Sequence, residues 1–119
     1  MEPQSIVTAE EFFKVELRVG KVESAEPLEN SDKLIRLTVS FDPPSTPSSA
    51  RQVRNILTGL LPFYEPEHFV GKLFVFAYNL EPRKMAGELS EGMLLCTDSE
   101  SGPKPLVAPD GSVEGDKLK

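Results

Sequence analysis

Apolar and polar residues alternate with period two over much of the chain, most cleanly between Leu34 and Phe41. There Ile35, Leu37, Val39 and Phe41 fall on one face, and Leu34, Arg36, Thr38 and Ser40 on the other. Successive side chains of an extended strand point to opposite faces, so this segment predicts a strand with one buried side. An earlier strand is predicted where Val15, Leu17 and Val19 alternate with Lys14, Glu16 and Arg18. At Gly20 the apolar phase slips, because Val22 and not residue 21 comes next, which predicts a bulge or sharp bend. Arg51 to Leu57 reads as a third strand. Leu73 to Tyr78 is a continuous apolar run between Gly71 and Asn79, as expected of a strand buried on both sides or facing a partner. Met93 to Cys96 makes a fifth.

The punctuation between these runs is dense. Thr8-Ala9-Glu10-Glu11 fits a capping box, with Val7 and Phe12 spaced as a hydrophobic staple on a very short helix. Asn30-Ser31-Asp32 marks a turn, and Asp42 to Ala50, rich in Pro and Ser with no apolar anchor, reads as a mobile loop. Tyr64 to Gly71 places Pro66 near the start and Gly71 just past the end of a short helix that would cap a barrel. Five strands with a short helix between the third and fourth are what a five-stranded OB-fold barrel requires. Other small all-β topologies share that pattern. The reading is one all-β domain with its core at about residues 10–107, short capping helices, terminal segments at 1–7 and 109–119, and a Pro-rich C-terminal extension centred on Leu106 and Val107.

Charge complicates any function. The 119 residues hold 13 Lys and Arg against 19 Asp and Glu, a net charge of −6, which argues against a general polyanion binder. Much of the acid sits near the ends, at Glu2, Glu10, Glu11, Asp98, Glu100, Asp110, Glu114 and Asp116, while cations concentrate in the middle. A local basic face with modest, salt-sensitive affinity is therefore compatible with the composition. The length supports one compact domain. No apolar run is long enough to cross a bilayer and no signal-peptide pattern opens the chain, so no membrane partner and a cytoplasmic location are expected. Cys96 is the only cysteine and reads as a strand hydrophobe. His68, with Glu65 and Glu67 near it but no second His or Cys, does not make a metal site. No phosphate loop, nucleophile elbow or paired-acid motif appears, so neither a cofactor nor an enzymatic activity is expected of this domain.

The stretch from Asn79 to Met93 carries the most information, because Arg83 and Lys84 follow a turn proline with little apolar material around them. Cations placed so commonly meet an anion, and nucleic-acid phosphate is the commonest large one. Together with Phe13 to Gly20 and Ser31 to Leu37, this stretch resembles the tRNA-binding module appended to methionyl-tRNA synthetases and found as free-standing tRNA-binding proteins. The resemblance runs from about Glu10 to Val107. Ser31 to Thr38 and Ser90-Glu91-Gly92-Met93 most resemble the C-terminal domain of the bacterial enzyme.

The resemblance implies the OB-fold, a homodimer with Leu106 and Val107 covered at its interface, and tRNA as partner. It carries over most firmly to Asn79, Arg83, Lys84, Ser90 and Met93. Arg83 and Lys84 would neutralise phosphates, Asn79 and Ser90 would hydrogen-bond sugars or base edges, and Met93 would contact a splayed base unless it fills the barrel. An OB-fold binds oligonucleotides on strands two and three and the loops beside them, which adds Lys33, Arg36 and Arg54, with Arg18 and Lys21 as an extension. Ala86, Glu81 and Glu91 depart from the family's usual residues, and two cations are thereby lost. The expected function is a non-catalytic module that delivers or retains tRNA for an aminoacyl-tRNA synthetase, methionyl above all, in cis or in trans. Two alternatives stand beside it: a dimerisation module with weak or lost tRNA binding, and a peptide-binding protein like the small bacterial export chaperones.

Overall fold

A computed structural model describes residues 5–119; residues 1–4 of the amino-terminal segment, Glu2 among them, lie outside the described residues. In chain order the elements are α1 (Ala9–Phe12), β1 (Leu17–Pro27), β2 (Ile35–Ser40), β3 (Val53–Thr58), β4 (Leu73–Ala77), β5 (Arg83–Met85), β6 (Glu88–Ser90), β7 (Met93–Leu94), β8 (Cys96–Ser99) and β9 (Gly102–Pro105). One curled antiparallel sheet runs β3-β2-β1-β4-β7, and β5–β6 and β8–β9 are separate hairpins. This is an all-β, OB-like barrel.

The alternation in β2 does what it predicts: Ile35, Leu37 and Val39 are fully buried, packed with Ile56, Phe69, Phe74 and Phe76. Burying such side chains contributes on the order of 1.5–3 kcal/mol each, which fixes the register of the sheet. β4 is covered on both faces, as its continuous apolar run predicts. Phe74 and Phe76 enter the core, while Val75, pointing the other way, is also buried. Along one edge of β4 the C-terminal tail adds to the sheet, where Val75 N donates to Leu106 O at 3.0 Å and Ala108 N to Leu73 O at 3.0 Å.

β1 differs from expectation. It starts at Leu17, and its barrel-facing residues are Gly20 and Val22, not Val15, Leu17 and Val19. Val19 is buried on the outer face, where the chain end runs alongside: Val19 N donates to Asp116 O at 2.8 Å and Gly115 N to Val19 O at 2.8 Å. The slip at Gly20 is a close approach. A Cβ there would lie 2.6 Å from Val39 Cγ1 and 2.7 Å from Phe41 Cε1. The bulge itself lies further on, between Val22 and Ser24.

The smaller elements follow local rules. Thr8 and Glu11 form the reciprocal capping box on a single helical turn, but Val7 and Phe12 remain exposed. The predicted capping helix is a 3₁₀ turn, Pro66–His68, that delivers Phe69 into the core. The Pro/Ser-rich loop does have anchors, polar ones: the Arg51 guanidinium donates to Pro44 O and Thr46 O, and Gln52 N to the Asp42 carboxylate at 2.7 Å. The predicted fifth strand splits at Leu95 into β7 and the start of the β8–β9 ribbon.

Candidate nucleic-acid interface

The segment read as a loop around Arg83 and Lys84 is a hairpin. Its two turn residues, Ala86 (φ +49°) and Gly87 (φ +85°), both take left-handed φ, as a two-residue turn of the primed type requires. Asn-Gly at this point would have announced the turn; Ala-Gly hides it. The register pairs Arg83 with Ser90, Lys84 with Leu89 and Met85 with Glu88. Strand alternation then sends Arg83 and Met85 to one side of the hairpin and Lys84 to the other.

The signature residues after the hairpin close the barrel. Ser90 is buried; its hydroxyl accepts from Leu57 N at 3.0 Å and donates to Gly92 O at 3.0 Å. Glu91 N donates to Asn55 O at 2.8 Å, and the Glu91 carboxylate accepts from Asn55 N at 3.1 Å. The edge of β3 thus finds its partners in two side chains and one backbone group. Gly92, at φ +152°, passes where a Cβ would lie 2.9 Å from Ala77 O. Asn79 is equally committed: its Oδ1 accepts from Glu16 N at 2.7 Å and its Nδ2 donates to Lys14 O at 2.6 Å. Ser90 and Asn79 thus both hold backbone groups at the closure of the barrel, since such groups need partners.

Arg36 is also spent within the chain. Its Nε and Nη2 donate to the two oxygens of Glu88 at 2.8 and 2.7 Å, and Nη1 pairs with Glu26. The fork-to-carboxylate geometry ties the hairpin to β2. The hydrogen bonds that Arg36 donates hold the Glu88 carboxyl below its ordinary value, and the same bonds to Glu88 raise Arg36. Sequence reading missed this neutralisation, since Glu88 lies 52 positions away.

Of the remaining candidates, Arg54, Arg83 and Met93 line two adjoining cavities beside β3. Arg83, Met93 and Met85 line a cavity of about 260 Å³ floored by Leu57 and Leu94, and Met93, 49% exposed, faces outward rather than filling the barrel. Leu80 is shared with an adjoining groove of about 440 Å³, lined by Arg54, Asn79, Pro82 and Tyr78. Arg54 is half-buried and tethered: Nη1 donates to Tyr78 O at 2.6 Å, and its guanidinium lies 3.7 Å from the Tyr78 ring centre, with that of Arg18 at 4.2 Å. Lys33 sits at the far end, its carbonyl accepting from Leu61 N at 3.1 Å, two residues beyond Gly59 of the first cavity. Lys33, Arg83 and Lys84 are exposed and, among the described residues, have no carboxylate partner. Sequence reading missed Tyr78, Leu80 and Met85; the period-two spacing of Arg83 and Met85 was the available signal for the last.

A family model described as "Putative tRNA binding domain" matches residues 17–117. The chain belongs to this family. As a tRNA-binding-domain chain it is 38% identical over 113 residues to a methionine–tRNA ligase of Caldanaerobacter subterraneus subsp. tengcongensis, covering 94% of this chain and 16% of that protein. Methionine–tRNA ligase 1 of Bacillus anthracis is likewise 38% identical, over 114 residues, with 95% and 16% covered. The chain thus spans about a sixth of the length of the curated relatives it matches. Among solved structures, the MetRS-related protein from Pyrococcus horikoshii superposes with a TM-score of 0.83 at 32% identity, covering 98% of this chain and all of that one. The CsaA chaperone protein from Picrophilus torridus shares the fold, at a TM-score of 0.81, 23% identity, and 96% and 100% coverage.

Proposed function

We propose that this chain binds tRNA without catalysing a reaction and retains it for an aminoacyl-tRNA synthetase, methionyl above all, in cis or in trans. The observation that carries this reading is the set of exposed cations without carboxylate partners among the described residues, Lys33 between β1 and β2 and Arg83 and Lys84 on the β5–β6 hairpin, the two connections beside the β2–β3 face of an OB-like barrel. Family membership supplies the class of nucleic acid. Lys33 and Lys84 act as point charges on phosphate, and Arg83 adds a planar fork. Three such contacts make weak binding, so a second copy of the chain adds affinity by avidity. Apolar side chains exposed in the single chain, including Phe13 at 67% and Val107 at 62%, support pairing of two copies, and the tail bearing Leu106 and Val107 lies where β1 and β4 meet it.

Filter binding of the chain to tRNA across a salt series tests the reading. Three phosphate contacts per chain give a slope of log affinity against log salt of about −2 to −3. No retention even at low salt rejects it.

A further inference from the structure

The cavity beside Arg83 has chemistry that phosphate binding alone does not use. Its floor is Leu57 and Leu94, both nearly buried, and its walls are the two thioethers of Met85 and Met93. Over that apolar floor stand Glu81 and Arg83, one anion and one cation that line the same cavity from either side of Pro82, and they form no ion pair with each other. Residues two apart in extended chain are about 6.6 Å apart, roughly the width of a flat heterocycle. A charged pair kept apart across an apolar slot is suited to a planar guest with donors at one edge and acceptors at the other.

We infer that this cavity receives one splayed guanine of the bound RNA. Guanine presents N1–H and the N2 amino group side by side, and both donate to the Glu81 carboxylate; its O6 and N7 accept from one edge of the Arg83 guanidinium, whose other donors stay available to the adjoining phosphate. Adenine and cytosine each set a ring-nitrogen acceptor beside their amino group, which repels the second carboxylate oxygen. Uracil offers a single N–H between two carbonyls. The ring lies against the polarizable sulfurs of Met85 and Met93, in the way single-stranded bases lie on apolar platforms. On this view Glu81, which costs a phosphate-binding cation at its position, acts as the base reader. The inference rests on the tRNA-binding reading and deepens it.

Fluorescence anisotropy of the full chain with labelled short oligouridines carrying one central guanosine, inosine, adenosine or uridine tests it, with unlabelled tRNA as a parallel ligand. Guanosine is expected to bind about ten-fold tighter than uridine, and inosine, which lacks the N2 amino group, to lose most of that gain. Glu81→Gln should bring guanosine close to inosine, and Met93→Ala should weaken all base-containing ligands alike. Equal binding of the four oligomers, with tRNA still retained, overturns the guanine site and leaves the tRNA-binding reading standing. Failure of both tRNA and oligomers at low salt overturns both. Saturable binding of an apolar peptide that Met93→Ala abolishes, without any base preference, assigns the cavity to peptide and overturns the guanine site as well.

Discussion

Arg36 commits its guanidinium to Glu88 of the β5–β6 hairpin and to Glu26, whereas Arg83 of the same hairpin stands beside Met93 and forms no ion pair. Both arginines belong to the face where an OB-fold meets nucleic acid. The first has become a tie between hairpin and barrel, the second remains a charge offered to solvent. An exposed ion pair contributes little net free energy, but it removes a positive charge from the field a polyanion meets. Which cations can bind RNA is therefore decided by where the acids fold to, and a count of cations along the chain does not reveal it. The same division separates Ser90 and Asn79, whose polar atoms complete the barrel, from Lys33 and Lys84.

The sharpest way to break this division is at the seam. Ser90→Ala leaves the buried Leu57 N–H without its acceptor, at a cost of about 1–3 kcal/mol, seen as a lower denaturant midpoint. At temperatures where the variant is folded, its affinity for tRNA should equal that of the parent chain. A ten-fold loss of tRNA affinity in fully folded Ser90→Ala would return Ser90 to the interface. The opposite result is expected from Arg83→Ala combined with Lys84→Ala. Both residues are exposed and unpaired, so the thermal midpoint should hardly move, while the salt slope for tRNA flattens by about two units.

Much of the fold was legible because it rests on nearest neighbours in sequence. β2 alternates over a long enough span to bury one face, and the run from Leu73 to Ala77 announced burial on both sides. Where the reading failed, a distant partner decided. Val19 belongs to the outer face because residues 115 and 116 return to cover it. The Arg36–Glu88 and Ser90–Leu57 contacts were hidden in the same way, since each joins residues far apart along the chain. The exposure of Arg83, Lys84 and Lys33 needed no distant partner to read, since among the described residues no carboxylate pairs with them. The hairpin itself escaped because its turn carries Ala86 where an Asn or Gly is the usual mark.

That turn permits a smaller test. Ala86 holds φ at +49°, where its Cβ crowds the following carbonyl, so Ala86→Gly should stabilise the chain by about 0.5–1 kcal/mol, less the extra freedom glycine has when unfolded. A more firmly set hairpin should leave the salt slope unchanged. Thermal melts and the binding series measured on the same preparation separate the two effects. A fall in stability would mean that the left-handed turn is not the resting conformation.

The smallest expected effect bears most directly on the two arginines. Glu88 is held below its ordinary value of 4.5 by its bonds to Arg36, so the unfolded chain takes up a proton there before the folded one does. The stabilisation from this pair is complete above about pH 4.5 and is lost as the pH falls through the lower, folded-state value. Glu88→Gln removes that dependence. The thermal midpoint of the variant should lie slightly below the parent's near neutral pH, and the two should converge as the solution is made more acid. Glu16, lowered in the same way by Arg18, is present in both chains and cancels in the difference. The substitution also frees part of the Arg36 guanidinium and removes a negative charge from the hairpin, so tRNA should bind somewhat more tightly and its salt dependence steepen. If affinity for tRNA instead falls, Arg36 contributes only through the hairpin it positions, and the unpaired side alone carries the charge that meets RNA.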